Sequence, residues 1–141
     1  MAMMPKRVRH RKEFRRTSRV NRKATKGNYV AYGDYGLQSL ESAWITARQL
    51  EAGRIAAQHF SKRQGKLFIR VFPDKPVSKK PLETRMGKGK ADVDYWAARV
   101  KEGTMLFEMA GVSESFARGT MVRIAMKMPV RCRFVKRRVT V

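Results

Sequence analysis

The segment Arg85-Met86-Gly87-Lys88-Gly89-Lys90 alternates glycine with lysine, a pattern suited to binding phosphate groups. Glycine has no side chain to hold a phosphate away from the backbone, while the lysine ammonium groups can still reach the phosphate oxygens. The phosphate-binding loop of nucleotide hydrolases is a different motif, because it has four residues between its glycines and a Ser or Thr after its lysine. The segment therefore predicts contact with the phosphates of a polyanion, with a flexible linker as the alternative.

Side chains that could carry out catalysis are few. Asp92 and Asp94 could bind magnesium, but their position favours the start of a strand, with their charges offset by nearby lysines. His59 falls in a predicted helix, where a lone histidine is typically a packing or hydrogen-bonding residue. The single cysteine, Cys132, excludes an intramolecular disulfide and a metal site built on paired thiolates. We therefore predict no enzymatic activity, no metal and no cofactor; an enzyme would need a buried pocket around these residues.

The net charge of +22 is distributed unevenly along the chain. Lys and Arg outnumber Asp and Glu by 11 to 1 in residues 1–27, by 10 to 2 in residues 62–91 and by 6 to 0 in residues 127–141. The two remaining stretches, 28–61 and 92–126, each contain one more acidic residue than basic residues. A chain that is nearly neutral where it can form a core and strongly cationic elsewhere is expected to bind a polyanion, and RNA is the predicted partner.

The basic segments are also compatible with two other roles. The Arg-rich, acid-poor N-terminus also fits an organellar transit peptide, although the same bias recurs twice later in the chain. Polybasic segments could bind anionic membranes, but no segment pairs them with a wide apolar helix face. Because no run approaches the ~18 apolar residues of a membrane span, we expect a soluble, cytoplasmic protein with no membrane partner and no homo-oligomer.

Two helices are predicted from the spacing of apolar residues. Thr46–Lys62 carries apolar side chains on one face, and Thr46 with Gln49 is typical of a capping box. Gly65 is expected to end this helix in the left-handed conformation. A second helix is expected from Ser113 to about Lys127. Their predicted buried stripes comprise Ala47, Leu50, Gly53 or Arg54, Ala57 and Phe60 in the first helix, and Phe116 or Ala117, Met121, Ile124, Ala125 and Met128 in the second.

Strands account for most of the remaining core. The predicted strands are residues 28–36 with a turn at Gly33-Asp34, then Lys66–Phe72, Tyr95–Val100 and Met105–Met109, and one or two strands within Arg131–Val141. Tyr29, Tyr32 and Tyr35 are predicted to pack one edge of the core, with base stacking as the alternative. No core element fits residues 73–91, because they hold three prolines, two glycines and six basic residues.

The sequence thus predicts an α+β fold in which two helices pack on a mainly antiparallel sheet, with a basic N-terminal arm and a long basic internal loop. The arm is residues 1–27, and it is expected to be extended because it has almost nothing to bury. Residues 28–141 form a single RNA-binding domain, within which 73–91 are the functional loop.

Four blocks of the chain resemble the bacterial-type large-subunit ribosomal protein sixteen family. They are Pro5-Lys6-Arg7, Ile45–Ala52 (ITARQLEA), Lys62–Pro76 (KRQGKLFIRVFPDKP) and Arg85–Trp96 (RMGKGKADVDYW), and their order and spacing match over nearly the whole chain. Departures from the family are Phe68 in place of the usual Trp, Ala91 in place of a third glycine, and the arm segment Phe14-Arg15-Arg16. The Phe68 change keeps an aromatic residue, and Ala91 is expected to stiffen the exit of the loop.

The resemblance implies a structural component of the large ribosomal subunit that binds large-subunit rRNA near the peptidyl-transferase region. The family's loop reaches toward A-site tRNA, with P-site tRNA left open, so the chain is expected to support subunit assembly and tRNA positioning beside neighbouring large-subunit proteins. A cytoplasmic ribosome is favoured over an organellar one, and a free nucleic-acid or membrane binder remains the competing hypothesis. The expected RNA contacts are Lys6, Arg7, Arg9, Arg11, Lys12, Lys62, Arg63, Lys79, Lys80, Arg85, Lys88 and Lys90. In some bacterial members the arginine before Met-Gly-Lys-Gly is hydroxylated, which makes Arg85 a candidate for that modification.

Overall fold

The computed structural model describes residues 3–15 and 21–138. Parts of the predicted arm, and the last three residues of the predicted C-terminal strand region, lie outside these ranges. In chain order the elements are β1 (Tyr35–Ser39), β2 (Ala43–Thr46), α1 (Ala47–Ser61), β3 (Lys66–Ile69), β4 (Lys75–Ser78), β5 (Val93–Val100), β6 (Met105–Ala110), α2 (Glu114–Ala125) and β7 (Cys132–Lys136). The predicted α+β class is confirmed.

The strands form two antiparallel sheets. One has four strands in the order β3-β6-β1-β7, and the other has three in the order β2-β5-β4. The consecutive strands β5 and β6 do not pair with each other, because the turn between them carries the chain from the smaller sheet to the larger one. This turn also holds the end of the arm, since the Ala24 N–H donates to the Glu102 carbonyl at 2.8 Å and the Met105 N–H donates to the Gly27 carbonyl at 2.9 Å.

The first helix begins as its sequence predicts. The Gln49 N–H donates to Thr46 Oγ1 at 3.2 Å, and the Thr46 N–H donates to Gln49 Oε1 at 2.9 Å, which completes the capping box. The helix ends slightly earlier than expected, because the left-handed conformation is already reached at Lys62 (φ 46°) and Arg63 (φ 66°), before Gly65 (φ 73°).

The core lies where the two helices pack against each other and against the sheets. Leu50 of α1, Phe107 of β6 and Ile124 of α2 are fully buried. The helices approach closely at Gly53, where an added Cβ would lie 3.2 Å from the Ile124 side chain of α2 and 3.1 Å from the Phe107 ring of β6. The predicted buried stripes are correct at Leu50, Gly53 and Ala57 of α1 and at Ala117, Met121 and Ile124 of α2. Phe60 is an exception: it is 39% exposed and lies against Phe116 outside the core.

The expectation that no core element fits residues 73–91 is wrong. Lys75–Ser78 forms β4, which pairs antiparallel with β5 through Lys75 with Ala97 and Pro76 with Trp96. Because β4 is an edge strand of its sheet, the missing N–H of Pro76 costs little there. The irregular part of the loop is therefore residues 79–92, and both of its ends are fixed by neighbouring strands.

Two predicted strands also differ in extent. β1 begins only at Tyr35, because the preceding N–H groups of Ala31, Tyr32 and Gly33 bind the Glu108 carboxylate and are not available for strand pairing. β3 stops at Ile69, three residues earlier than the sequence predicts. Within the predicted C-terminal strand region, β7 occupies Cys132–Lys136.

Candidate nucleic-acid interface

The basic residues expected to bind RNA lie at the surface. Lys80 is half-buried, and the other eleven are exposed: Lys6, Arg7, Arg9, Arg11, Lys12, Lys62, Arg63, Lys79, Arg85, Lys88 and Lys90. Lys62 and Arg63 are in the left-handed turn that ends α1, whereas the others belong to the arm and to the loop. Exposure makes these cations available to a partner.

The loop, residues 79–92, has a backbone conformation that depends on its glycines. Gly87 (φ 100°), Lys88 (φ 53°) and Gly89 (φ 79°) are consecutive residues in the left-handed region. Nothing lies within 4 Å of a Cβ placed on either glycine, so glycine is required there by the backbone angle and not by lack of space. The Lys80 ammonium donates to the Gly87 carbonyl and so links the two sides of the loop.

A concave region of about 440 Å³ lies within the loop. Its lining includes the basic residues Lys79, Lys80, Arg85, Lys88 and Lys90 and the acidic residues Asp92 and Asp94. Residues 81–90 are all exposed, and the apolar side chains of Leu82 and Met86 are each 97% exposed. The loop thus presents a cationic, open surface together with apolar side chains that the protein itself does not cover.

The structure brings the arm and the loop together, which the sequence did not predict. The Lys12 ammonium donates to the Lys90 carbonyl at 2.9 Å and lies 3.5 Å from Asp92 Oδ1. In return, the Lys90 ammonium donates to the Glu13 carbonyl and lies 5.8 Å from the centre of the Phe14 ring. Two basic segments almost eighty residues apart in the chain therefore form one cationic surface.

Lys75 is excluded from that surface, although the sequence analysis counted it among the basic residues of the loop. Only 2% of it is exposed, and its ammonium donates to the Phe14 carbonyl at 2.9 Å. The ammonium also lies 4.9 Å from the centre of the Trp44 ring and 3.9 Å from Glu13 Oε2. Burial lowers the pKa of the Lys75 ammonium below its usual range, and the Glu13 carboxylate opposes this effect.

The side chains considered for catalysis do not form a site. Asp92, Asp94 and His59 are exposed, and Cys132 is a half-buried thiol whose pKa is raised by burial, with a smaller effect from Glu41, to about 11. Within residues 3–15 and 21–138, no group of three or more His, Cys, Asp or Glu side chains could hold a metal ion. In the same part of the chain, no helix is both long and apolar enough to cross a membrane.

Sequence reasoning missed a buried carboxylate that holds the segment between the arm and β1. Glu108 of β6 is fully buried and accepts hydrogen bonds from the N–H groups of Ala31 (3.2 Å), Tyr32 (2.6 Å) and Gly33 (2.9 Å). It also forms an ion pair with Arg70. Burial raises the pKa of the Glu108 carboxyl, but these backbone hydrogen bonds and Arg70 together outweigh burial and lower the pKa below its usual range.

The expectation that three tyrosines pack the core edge is correct only for Tyr35. Tyr35 is half-buried and stacks on Phe134 with ring centres 5.6 Å apart, whereas Tyr29 and Tyr32 are 65% and 66% exposed. The Tyr32 ring lies 4.9 Å from the Arg70 guanidinium, so the ion pair of Glu108 also fixes this aromatic side chain at the surface.

Comparison with known proteins gives the same family as the four sequence blocks. The model of the family described as ribosomal protein L16p/L10e matches residues 5–135. The large ribosomal subunit protein uL16 of Rhodopirellula baltica is 59% identical over 138 residues, which are 98% of this chain and 99% of that protein. The match spans the arm, the loop and both sheets.

Proposed function

Because this chain belongs to the ribosomal protein L16p/L10e family, we propose that it is a structural component of the large ribosomal subunit and not an enzyme. It binds large-subunit rRNA near the peptidyl-transferase region, in contact with neighbouring ribosomal proteins. Its loop contacts A-site tRNA. The ribosome concerned is of the bacterial type, and in bacteria it is cytoplasmic.

The observation that carries this proposal is the separation of charge from core. The exposed cations of the loop and the arm adjoin each other, while both helices and the strands β1, β2, β5 and β6 come from nearly neutral stretches of the chain. Lys and Arg at such a surface neutralise phosphates and release counterions, which favours binding where RNA helices crowd together and repel each other. Leu82 and Met86 of the loop are each 97% exposed, so their apolar side chains are available to the partner that binds the loop.

In this arrangement the folded core and the loop have different roles. The two sheets and two helices dock as a rigid wedge, which fixes the direction in which the loop points. The left-handed backbone at Gly87 and Gly89 lets the chain approach phosphates closely, and the side chains of Arg85 and Lys88 reach the phosphate oxygens. Both the support of subunit assembly and the positioning of tRNA then result from the neutralisation of phosphate charge by the loop.

The test is an Arg85→Ala/Lys88→Ala variant, incorporated into large subunits that lack their own copy of the protein. We expect the fold to be unchanged and either subunit assembly or A-site tRNA accommodation to be weakened. Arg48→Ala/Lys127→Ala is the matched control, because both residues are exposed on or beside the helices and the same two charges are removed. Sedimentation profiles and accommodation rates equal to those of the control would refute the role of the loop.

Salt dependence separates this proposal from a free polycation that binds any nucleic acid. Purely phosphate-driven binding loses roughly three to five orders of magnitude in affinity when salt rises from about 50 to 200 mM. We expect the chain to remain on the large subunit after a high-salt wash and to prefer large-subunit rRNA over an unrelated RNA of equal length. Equal loss from both RNAs would favour the free binder.

The proposal extends to a modification of Arg85. Its exposed side chain in the loop is accessible to a hydroxylating enzyme, as in some bacterial members of the family. Mass spectrometry of the loop peptide from native ribosomes should show the mass of one added oxygen on Arg85. An unmodified peptide from cells grown with ample oxygen would contradict the assignment.

A further inference from the structure

The arm contacts both the end of the loop that joins β5 and the start of β4, the strand that precedes the loop. Near the end of the loop that joins β5, Lys12 and Lys90 each donate to a backbone carbonyl of the other segment. At the start of β4, the strand that precedes the loop, the Lys75 ammonium donates to the Phe14 carbonyl. Arg99 of β5 makes a third contact with the arm, since its guanidinium lies 3.9 Å from Glu13 Oε2. The same guanidinium lies 3.1 Å from Asp74 Oδ2.

These contacts differ in strength. Lys12 and Asp92 are 42% and 96% exposed in their side chains, and such surface ion pairs contribute little to stability. The Lys75 ammonium is almost completely buried, and burial of a charge is strongly unfavourable unless the charge is paired and hydrogen-bonded. Its hydrogen-bond acceptor at Phe14 and its nearest carboxylate at Glu13 both belong to the arm. Docking of the arm is therefore what satisfies this buried charge.

The loop has little else to hold it. Residues 81–90 are exposed, so the position of the loop is determined mainly where it leaves β4 and enters β5. The arm is also attached further along, where Ala24 and Gly27 hydrogen-bond the turn between β5 and β6. A segment attached at both places can hold the loop in one direction.

We propose that arm residues 12–15 act as a clamp that joins the β5 end of the loop to the start of β4, and that Lys75 is the positioning residue that holds the clamp closed. The arm then has a role separate from any RNA contact of its own: it sets the direction of a loop that lies far from it in the sequence. This inference concerns the free protein. It rests on the proposed function in one respect: the tRNA contact would be made by the loop in its clamped position.

The test measures the distance between arm and loop in the full-length free protein. Spin labels are placed at Arg11→Cys and Met86→Cys in a Cys132→Ala background, since both labelled positions are exposed. The wild-type clamp gives a narrow distance distribution. Lys75→Met removes the ammonium but keeps an unbranched apolar side chain, and we expect a distribution roughly twice as broad or broader. We expect no loss of stability toward urea, because the Glu13 side chain that loses its partner is 39% exposed and is therefore not left as a buried unpaired charge.

The matched control is Lys79→Met, which removes the same charge from an exposed position four residues further along. Its distance distribution should stay narrow, and that of Lys12→Met should broaden less than that of Lys75→Met. A second variant, Glu13→Lys, leaves the core residue in place and sets a like charge beside the Lys75 ammonium, so it should also release the arm. It gives an independent result if Lys75→Met does not fold.

An unchanged distribution in Glu13→Lys, or equal broadening in Lys75→Met and Lys79→Met, would overturn the clamp. A merely structural role for Lys75 predicts a different result, namely loss of stability with no selective release of the arm. Because these distances are measured without the ribosome, the clamp can be confirmed even if the tRNA contact is refuted, and the reverse also holds.

Discussion

Replacement of the buried carboxylate Glu108 by glutamine should destabilise the fold strongly. The carboxylate is fully buried, accepts three backbone N–H groups and pairs with Arg70, so Glu108→Gln keeps the shape but removes the charge that all four donors face. Breaking one partner of a buried ion pair typically costs about 3–5 kcal/mol. Whole domains are stable by about 5–15 kcal/mol, so the variant should lie close to the limit of folding.

The hydrogen-bond donors to Glu108 also predict how strongly different variants lose stability relative to one another. Arg70→Met leaves the Glu108 carboxylate with its three backbone N–H groups, so it should cost less than Glu108→Gln. Glu102→Gln is the control, because that side chain is exposed and the same charge is removed. Urea denaturation followed by the fluorescence of the two tryptophans, Trp44 and Trp96, gives the free energy of unfolding for each variant.

The pH dependence has a definite sign. Since the pKa of Glu108 is lower in the folded protein than in the unfolded chain, its contribution to stability is complete above the unfolded-state pKa of about 4.3. That contribution is lost as the pH falls through the lower, folded-state pKa, so the difference between wild type and Glu108→Gln should shrink in acid. A Glu108→Gln variant within about 1 kcal/mol of wild type at neutral pH, or more stable than Arg70→Met, would refute this reasoning.

Three further perturbations test other parts of the structure. Gly33→Ala places a Cβ 2.6 Å from the Met109 carbonyl oxygen, so it should lower the free energy of unfolding by about 1–3 kcal/mol in urea denaturation, and an unchanged midpoint would contradict the close approach. Thr46→Ala removes the hydroxyl of the capping box and should cost about 0.5–2 kcal/mol by the same measurement, with no loss counting against the cap. Lys88→Ala should reduce the slope of log affinity against log salt for rRNA binding by about 0.7–0.9, and an unaltered slope would exclude a phosphate contact at Lys88.

The sequence predicted the two helices well because residues only a few positions apart determine where a helix begins and which face it buries. The capping box of α1 joins Thr46 and Gln49, three residues apart, and both side chains are found in the expected contacts. The apolar spacing likewise placed Leu50 and Ile124 correctly in the core. Such short-range signals can be read from a single sequence.

The errors arose where distant partners decide the structure. Lys75 and Pro76 have the composition of a loop, yet pairing with β5 makes them an edge strand and buries the lysine under the arm. Tyr32 is exposed because its backbone is held by Glu108, which is 76 residues further along the chain. Neither pairing leaves a periodic signal in the sequence, so neither could be predicted from spacing or composition.

The sequence predicted which segments supply the basic residues of the candidate interface, but it did not predict how those segments are arranged. Clustering of charge in residues 1–27 and 62–91 identified which segments are cationic. It did not reveal that Lys12 and Lys90 join those segments into one surface, since this depends on the folded positions of the arm and β5.

Photo-crosslinking from the loop within intact ribosomes tests the central claim most directly. A photoreactive amino acid at Met86, which is 97% exposed in the loop, is compared with one at Met126, which is 71% exposed beyond the end of α2. With tRNA bound in the A site, the proposed function predicts crosslinks from position 86 to that tRNA and to rRNA of the peptidyl-transferase region, and none to tRNA from position 126. Absence of tRNA and peptidyl-transferase crosslinks from position 86, in subunits that contain the protein, would contradict it.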